Sequence, residues 1–191
     1  SKVGRRVLVL GGGNTAMDCC RTARRLGGED VKVVVRSERA KMKASPWEID
    51  DAMAEDIPII NNHVPKEFVH EKGKLTGVRF TVVDVVYDEG GQRKLVPTGE
   101  EVFFEADDVI IAIGQDNAFP WIERDIGLEF GKWDMPVIDP VTFQSTNPRV
   151  FFGGDAAFGP ENIITAVAHG HQAAISMDRF IRGEDVHCLL Y

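Results

Sequence analysis

Apolar positions along the chain change their period several times, and each period predicts a different element. Val7, Leu8, Val9 and Leu10 form an unbroken apolar run, as expected of a strand covered on both faces of a parallel sheet. Ala16, Cys19, Cys20, Ala23 and Leu26 then recur at the three- and four-residue spacing of a helix stripe, which Gly27 and Gly28 end. A second apolar run, VKVVVR, predicts a strand ending at Arg36, and WEIDDAMAED predicts a short amphipathic helix introduced by Ser45 and Pro46. IPIINN reads as a third strand. From residue 67 to 104 β-branched runs alternate with turn signals at Lys72-Gly73 and Gly90-Gly91, which predicts an antiparallel meander covering one face of the parallel sheet. ADDVIIAIG predicts another buried strand, and RVFF predicts a strand ending at Gly153-Gly154. An alanine-rich helix follows from near Ile163.

The junction of the first strand and helix carries the first chemical signal. It reads Gly11-x-Gly13-x-x-Ala16, a dinucleotide fingerprint with alanine in its permitted third place. Gly11 allows a tight turn, Gly13 lets backbone approach a pyrophosphate, and Ala16 lets helix and strand pack closely. Together with Gly12, Asn14 and Thr15 they form the candidate phosphate cradle, at the positive end of a helix. The competing reading is a glycine-rich turn that binds nothing.

About 20 residues beyond Ala16, where an acidic side chain would take the ribose hydroxyl of NAD, the chain has Arg36. Arg39, Lys41 and Lys43 follow, so Arg36 and Arg39 are candidates to clamp a 2′-phosphate, which favours NADP(H) over NAD(H). A solvated basic loop is the alternative. Ala112 and Gly114, at the end of the later strand, are small enough to let a cofactor approach. In the closing segment Asp155, after Gly154, can accept from a sugar alcohol, and the N–H groups of Ile164, Thr165 and Ala166 can face an electron-rich ring; a turn cap and a closely packed helix explain the same residues. His169 and His171 are two apart on a helix and point about 200 degrees away from each other, so no metal site is expected.

Composition narrows the class. A chain of 191 residues that is 43% hydrophobic can bury one good core or two small ones. Its net charge of −8 argues against nucleic acid and membrane surfaces as partners, and no apolar stretch reaches the roughly 18 residues needed to cross a bilayer. With no signal-peptide pattern and three cysteines that make no CxxC pair, the expected compartment is the cytoplasm. A short-chain dehydrogenase is excluded, because Tyr87 is followed four positions later by Gly91 rather than lysine.

Four stretches in order, GGGNTAMDCCRTARRLG, VVVRSERAKMKASPWEIDDAM, VIIAIGQ and FFGGDAAFGPENIITAVAHGHQAA, resemble the glutamate synthase small-subunit (beta chain) family of NADPH-dependent FAD/NAD(P)-binding oxidoreductases. The flavin halves of dihydropyrimidine dehydrogenase and of NADH-dependent ferredoxin:NADP oxidoreductase are similar. The resemblance implies a Rossmann-like α/β fold, with helices on one face of a central parallel sheet and a β-meander on the other. It implies an NAD(P)-binding domain over 1–114, inserted in an FAD-binding domain that resumes over 115–191. It assigns Gly154 and Asp155 to the flavin ribitol, and Ile164, Thr165 and Ala166 to the isoalloxazine. Such proteins carry an earlier glycine fingerprint, usually after a cysteine-rich iron–sulfur segment. Neither is present here, so the chain is expected to be a fragment that works with the missing FAD-domain half, and with an iron–sulfur segment or large catalytic subunit. The implied activity is hydride transfer from NADPH to FAD, with no catalytic side chain; a non-catalytic dinucleotide-binding module is the alternative. Phe119, Trp121 and Trp133 are expected to face the missing half.

Overall fold

The computed structural model describes residues 2–187, which divide between Gly114 and Gln115 into two compact units. The first is built on a parallel sheet of β1 (Arg6–Leu10), β2 (Asp30–Val34), β3 (Ile59–Ile60) and β7 (Asp108–Ile111), in the order β3-β2-β1-β7. Helices α1 (Asn14–Arg25) and α2 (Pro46–Ala54) connect its early strands. An antiparallel sheet of β4 (His63–Glu71), β5 (Lys74–Tyr87) and β6 (Arg93–Glu105) precedes β7.

Two separate cores show why β1 is apolar at each of its last four positions, Val7 to Leu10. Val7 and Val9 point with Val31 and Val33 toward α1 and α2, where they meet Ala16, Met17, Cys20, Ile49 and Ala52. Leu8 and Leu10 point the other way with Val34, onto Val78 and Phe80 of β5 and onto Ala106. The sheet is therefore sandwiched between helices and meander, as expected. Burying an apolar side chain on this scale contributes about 1.5–3 kcal/mol. Arg21 of α1 adds a polar tie, reaching Glu48, Asp51 and Glu55 of α2 at 3.1, 3.1 and 2.8 Å.

The turns follow the sequence signals. Lys72 and Gly73 join β4 to β5 with positive φ, and Asp88 closes the β5–β6 hairpin by accepting from the N–H groups of Gly90 and Gln92. The meander starts earlier than its signals suggest, because His63 already pairs with Val82.

The second unit departs further from expectation. RVFF forms no strand: Phe151 makes only an isolated antiparallel bridge to Gln144, beside bridges Phe130–Pro136 and Ile138–Ser145. Pro148 lacks a donor, and the positive φ of Phe143 and Gly154 breaks any longer ladder. A small core of Phe119, Ile122 and Leu128 lies here, with Phe130 and Phe152 packed on it. Phe119 is thus buried, contrary to expectation, whereas Trp121 and Trp133 are exposed. Two helices complete the unit, α3 (Asp155–Phe158) and α4 (Ile163–Arg182).

Candidate functional site

The glycine turn lies at the carboxyl end of β1, and each glycine meets a different constraint. Gly11 has φ of +145°, and a methyl group there would sit 2.1 Å from the carbonyl oxygen of Ala112. Its role is wider than a tight turn: it lets β1 and β7 close on each other, while its own N–H donates to Val34 O at 3.1 Å. A methyl at Gly12 would meet Val35 Cγ1 at 2.7 Å, but one at Gly13 would meet nothing within 4 Å. Room is therefore kept in front of Gly13, just where α1 begins.

Backbone donors without protein partners begin at the same point. Ala16 and Met17 donate to Gly13 O at 3.0 and 3.3 Å, whereas the N–H groups of Gly13, Asn14 and Thr15 find no protein acceptor among the described residues. Gly13 is the N-cap and supplies no side chain to cap them. Orphan donors and the positive helix end together suit an anion. The site's wall was not legible in the sequence: Lys43 and Ala44 donate their N–H groups to Gly12 O at 3.0 and 2.9 Å, and Asn14 Oδ1 accepts from Ser45 N at 2.8 Å. The side chain of Asn14 thus fixes the basic loop against the turn, leaving its backbone N–H for a ligand.

Within that loop, Arg36 is exposed just beyond β2, and neither it nor Lys41 or Lys43 has a side-chain partner among the described residues. Arg39 differs. Its guanidinium leans on α2, 3.6 Å from Asp50 and 3.2 Å from Met53 Sδ. The structure therefore leaves Arg36 uncommitted and Arg39 partly engaged. At the sheet's edge Ala112 N donates to Leu10 O at 2.8 Å, and Gly114, with φ of +113°, has open space around it.

In the second unit Gly154 is buried with φ of +61°, and its N–H donates to His169 Nδ1 at 3.1 Å. The His169 ring packs against Phe143 and Phe158, with centroids 5.1 and 4.5 Å away. This histidine holds a turn; its spacing from His171 had suggested only a metal question, and among the described residues no acidic, cysteine or histidine cluster is placed to hold a metal. Asp155 is exposed at the start of α3, and its Oδ1 accepts from Glu161 N at 3.2 Å. Asn162 caps α4 by accepting from Thr165 N and Oγ1 at 2.9 and 3.1 Å. Ala166 N donates to Asn162 O at 3.2 Å. Of the three N–H groups expected to face a flavin, those of Thr165 and Ala166 are thus used within the helix, and that of Ile164 has no acceptor among the described residues.

A parallel sheet whose first strand runs through a glycine turn into a helix, with a meander on its other face, defines a Rossmann-type α/β nucleotide fold. The sequence narrows this further. The chain belongs to the pyridine nucleotide-disulphide oxidoreductase family, whose pattern matches residues 1–170. It is 39% identical over 181 residues to the NADP(+)-dependent formate dehydrogenase subunit beta of Moorella thermoacetica, covering 94% of this chain and 25% of that protein. It is 37% identical over 176 residues to the glutamate synthase [NADPH] small chain of Halomonas elongata, covering 89% of this chain and 37% of that one. These relatives bear out the resemblance read from the four motifs, and this chain spans only part of their length. A thioredoxin reductase of T. acidophilum shares the fold, with a TM-score of 0.78 at 24% identity over 95% of this chain and 54% of that one. No helix among the described residues is long and apolar enough to cross a membrane.

Proposed function

We propose that this chain is the nucleotide-handling portion of a larger flavoprotein oxidoreductase, with residues 1–114 taking NADP(H) and residues 115–191 contributing to the binding of FAD. The observation that carries the reading is the open space at Gly13, next to the N–H groups of Gly13, Asn14 and Thr15 that have no protein acceptor among the described residues. Those donors would hold the pyrophosphate, and the uncommitted Arg36 would take the 2′-phosphate. Arg39 is a second contact only if it leaves Asp50. In the second unit Asp155, with an oxygen to spare, fits a sugar hydroxyl beside Gly154, and the Ile164 N–H fits an electron-rich ring edge.

When bound, NADPH supplies a hydride and FAD accepts it; the chain's own residues bind, orient and exclude water. No acid, base or nucleophile from this chain is assigned. Onward delivery of electrons, to iron–sulfur clusters or a partner subunit in the cytoplasm, belongs to polypeptide beyond these residues, since the relatives are three to four times as long, roughly, as the stretch they share with this chain. The same fact supports a second reading for the chain alone, nucleotide binding without turnover.

Calorimetric titration with NADPH and with NADH tests the proposal. NADPH is expected to bind about ten- to a hundredfold more tightly, as charge-assisted bonds to one phosphate would produce. Equal affinities would reduce the basic loop to a solvated surface, and no binding of either nucleotide would remove the assignment of residues 1–114.

A further inference from the structure

The loop from Val35 to Ser45 holds four cations, Arg36, Arg39, Lys41 and Lys43, and one carboxylate, Glu38. A carboxylate two residues from Arg36 is a hazard for phosphate recognition, because it can neutralise the guanidinium or repel the ligand. It is also the residue type that accepts the free ribose hydroxyl of NADH. In the structure Glu38 does neither: its Oε1 accepts a hydrogen bond of 3.1 Å from the hydroxyl of Tyr87, the last residue of β5. Arg36 and Glu38 make no ion pair, and the neighbouring Arg39 is drawn to Asp50 instead.

We infer that Tyr87 is a positioning residue for nucleotide choice: its hydroxyl withholds the loop's single carboxylate, so that Arg36 is free for a 2′-phosphate. This rests on the reading of Arg36 given under Proposed function and adds what keeps that arginine available. The bond also raises the Tyr87 phenol above its ordinary range, chiefly through the hydrogen bond to Glu38. Tyr87 therefore stays a donor at neutral pH. Both partners are partly solvated, so the device is worth a few-fold in affinity and acts as a bias on the loop.

The test is a double-mutant cycle read by calorimetric titration of the 191-residue chain with NADPH and with NADH. Tyr87→Phe removes only the hydroxyl, and is expected to weaken NADPH about three- to fivefold, the scale of an exposed ion pair formed between the released Glu38 and Arg36. NADH affinity should hold or rise. Glu38→Gln alone should leave NADPH affinity within about twofold, and adding it to Tyr87→Phe should restore that affinity, since the released group no longer carries charge. A hydroxyl that merely stiffened the loop would not be rescued by altering its partner. Unchanged NADPH affinity in Tyr87→Phe, or a double variant no better than Tyr87→Phe, overturns the inference while leaving the NADPH reading intact. Equal affinity of the unaltered chain for the two nucleotides overturns both.

Discussion

Gly11 and Gly13 stand two residues apart in one motif, yet the structure gives them opposite duties, and alanine at each should separate stability from binding. In Gly11→Ala the new methyl sits 2.1 Å from the Ala112 carbonyl oxygen, on a backbone with φ of +145°. Holding alanine at that φ costs about 1–3 kcal/mol. Relieving the clash moves strand against turn, threatening the bonds Ala112 N to Leu10 O and Gly11 N to Val34 O, each worth about 0.5–1.5 kcal/mol. The sum, about 2–6 kcal/mol, is a large share of the roughly 5–15 kcal/mol that holds a typical domain folded. In Gly13→Ala the methyl points into open space, from a backbone with φ of −103° that any residue adopts. Stability should fall by no more than about 1 kcal/mol, the N-cap preference of glycine over alanine, but the space proposed for a phosphate is filled. Urea unfolding followed by circular dichroism, with amide exchange of Val7–Leu10 as the local probe, measures the first effect; NADPH titration measures the second. A Gly11→Ala chain that unfolds at the parent's urea midpoint would refute the close-approach argument. A Gly13→Ala chain that keeps full NADPH affinity would refute the cradle.

Arg36→Ala should cost NADPH about ten- to a hundredfold in affinity and NADH little, whereas Arg39→Ala should cost less because its side chain already leans on Asp50; titrating both variants with both nucleotides checks the order. Asp107 is held down to about 2, first by the hydrogen bond from the Arg6 side chain and then by the Arg6 backbone N–H. Its folded pKa lies below the unfolded value, so its contribution is complete above about pH 4 and fades as pH falls toward 2. Thermal midpoints recorded across that window should fall less steeply in Asp107→Asn, from a lower starting point. His169→Ala removes the acceptor for the buried Gly154 N–H and should destabilise the second unit by about 1–3 kcal/mol, visible as faster exchange of that amide.

Much of the first unit could be read from spacing alone. A strand apolar at every position, Val7 to Leu10, must be covered on both faces, and the helices and meander that cover it announce themselves by period and by β-branched runs. The glycine pattern was equally plain, because each glycine answers a backbone requirement. Contacts between distant residues were not: the Tyr87–Glu38 bond, Lys43 and Ala44 on Gly12, and Asn14 on Ser45 each join polar groups whose local sequence carries no mark of the partner. In the second unit the reading of RVFF as a strand failed because apolar content reports burial, and here burial comes from aromatic packing in loops with single bridges. His169 escaped for a related reason. A histidine that accepts from a backbone N–H looks, in sequence, like any other histidine on a helix.

The order β3-β2-β1-β7 makes β1 an interior strand whose two neighbours lie at very different distances along the chain. Val7 meets Val31 on one side and Asp108 on the other. A ribosome reaches the first partner soon, but it must then make the entire meander before the second emerges. At about 5–20 residues per second, the roughly 100 residues between β1 and β7 take about 5–20 s. Throughout that interval a strand with four consecutive buried apolar residues has an open edge, the kind of surface that pairs with other nascent chains. Translation speed through residues 63–105 therefore sets how long this strand waits, and slowing it there should lower the yield of correctly folded protein more than slowing it after residue 111.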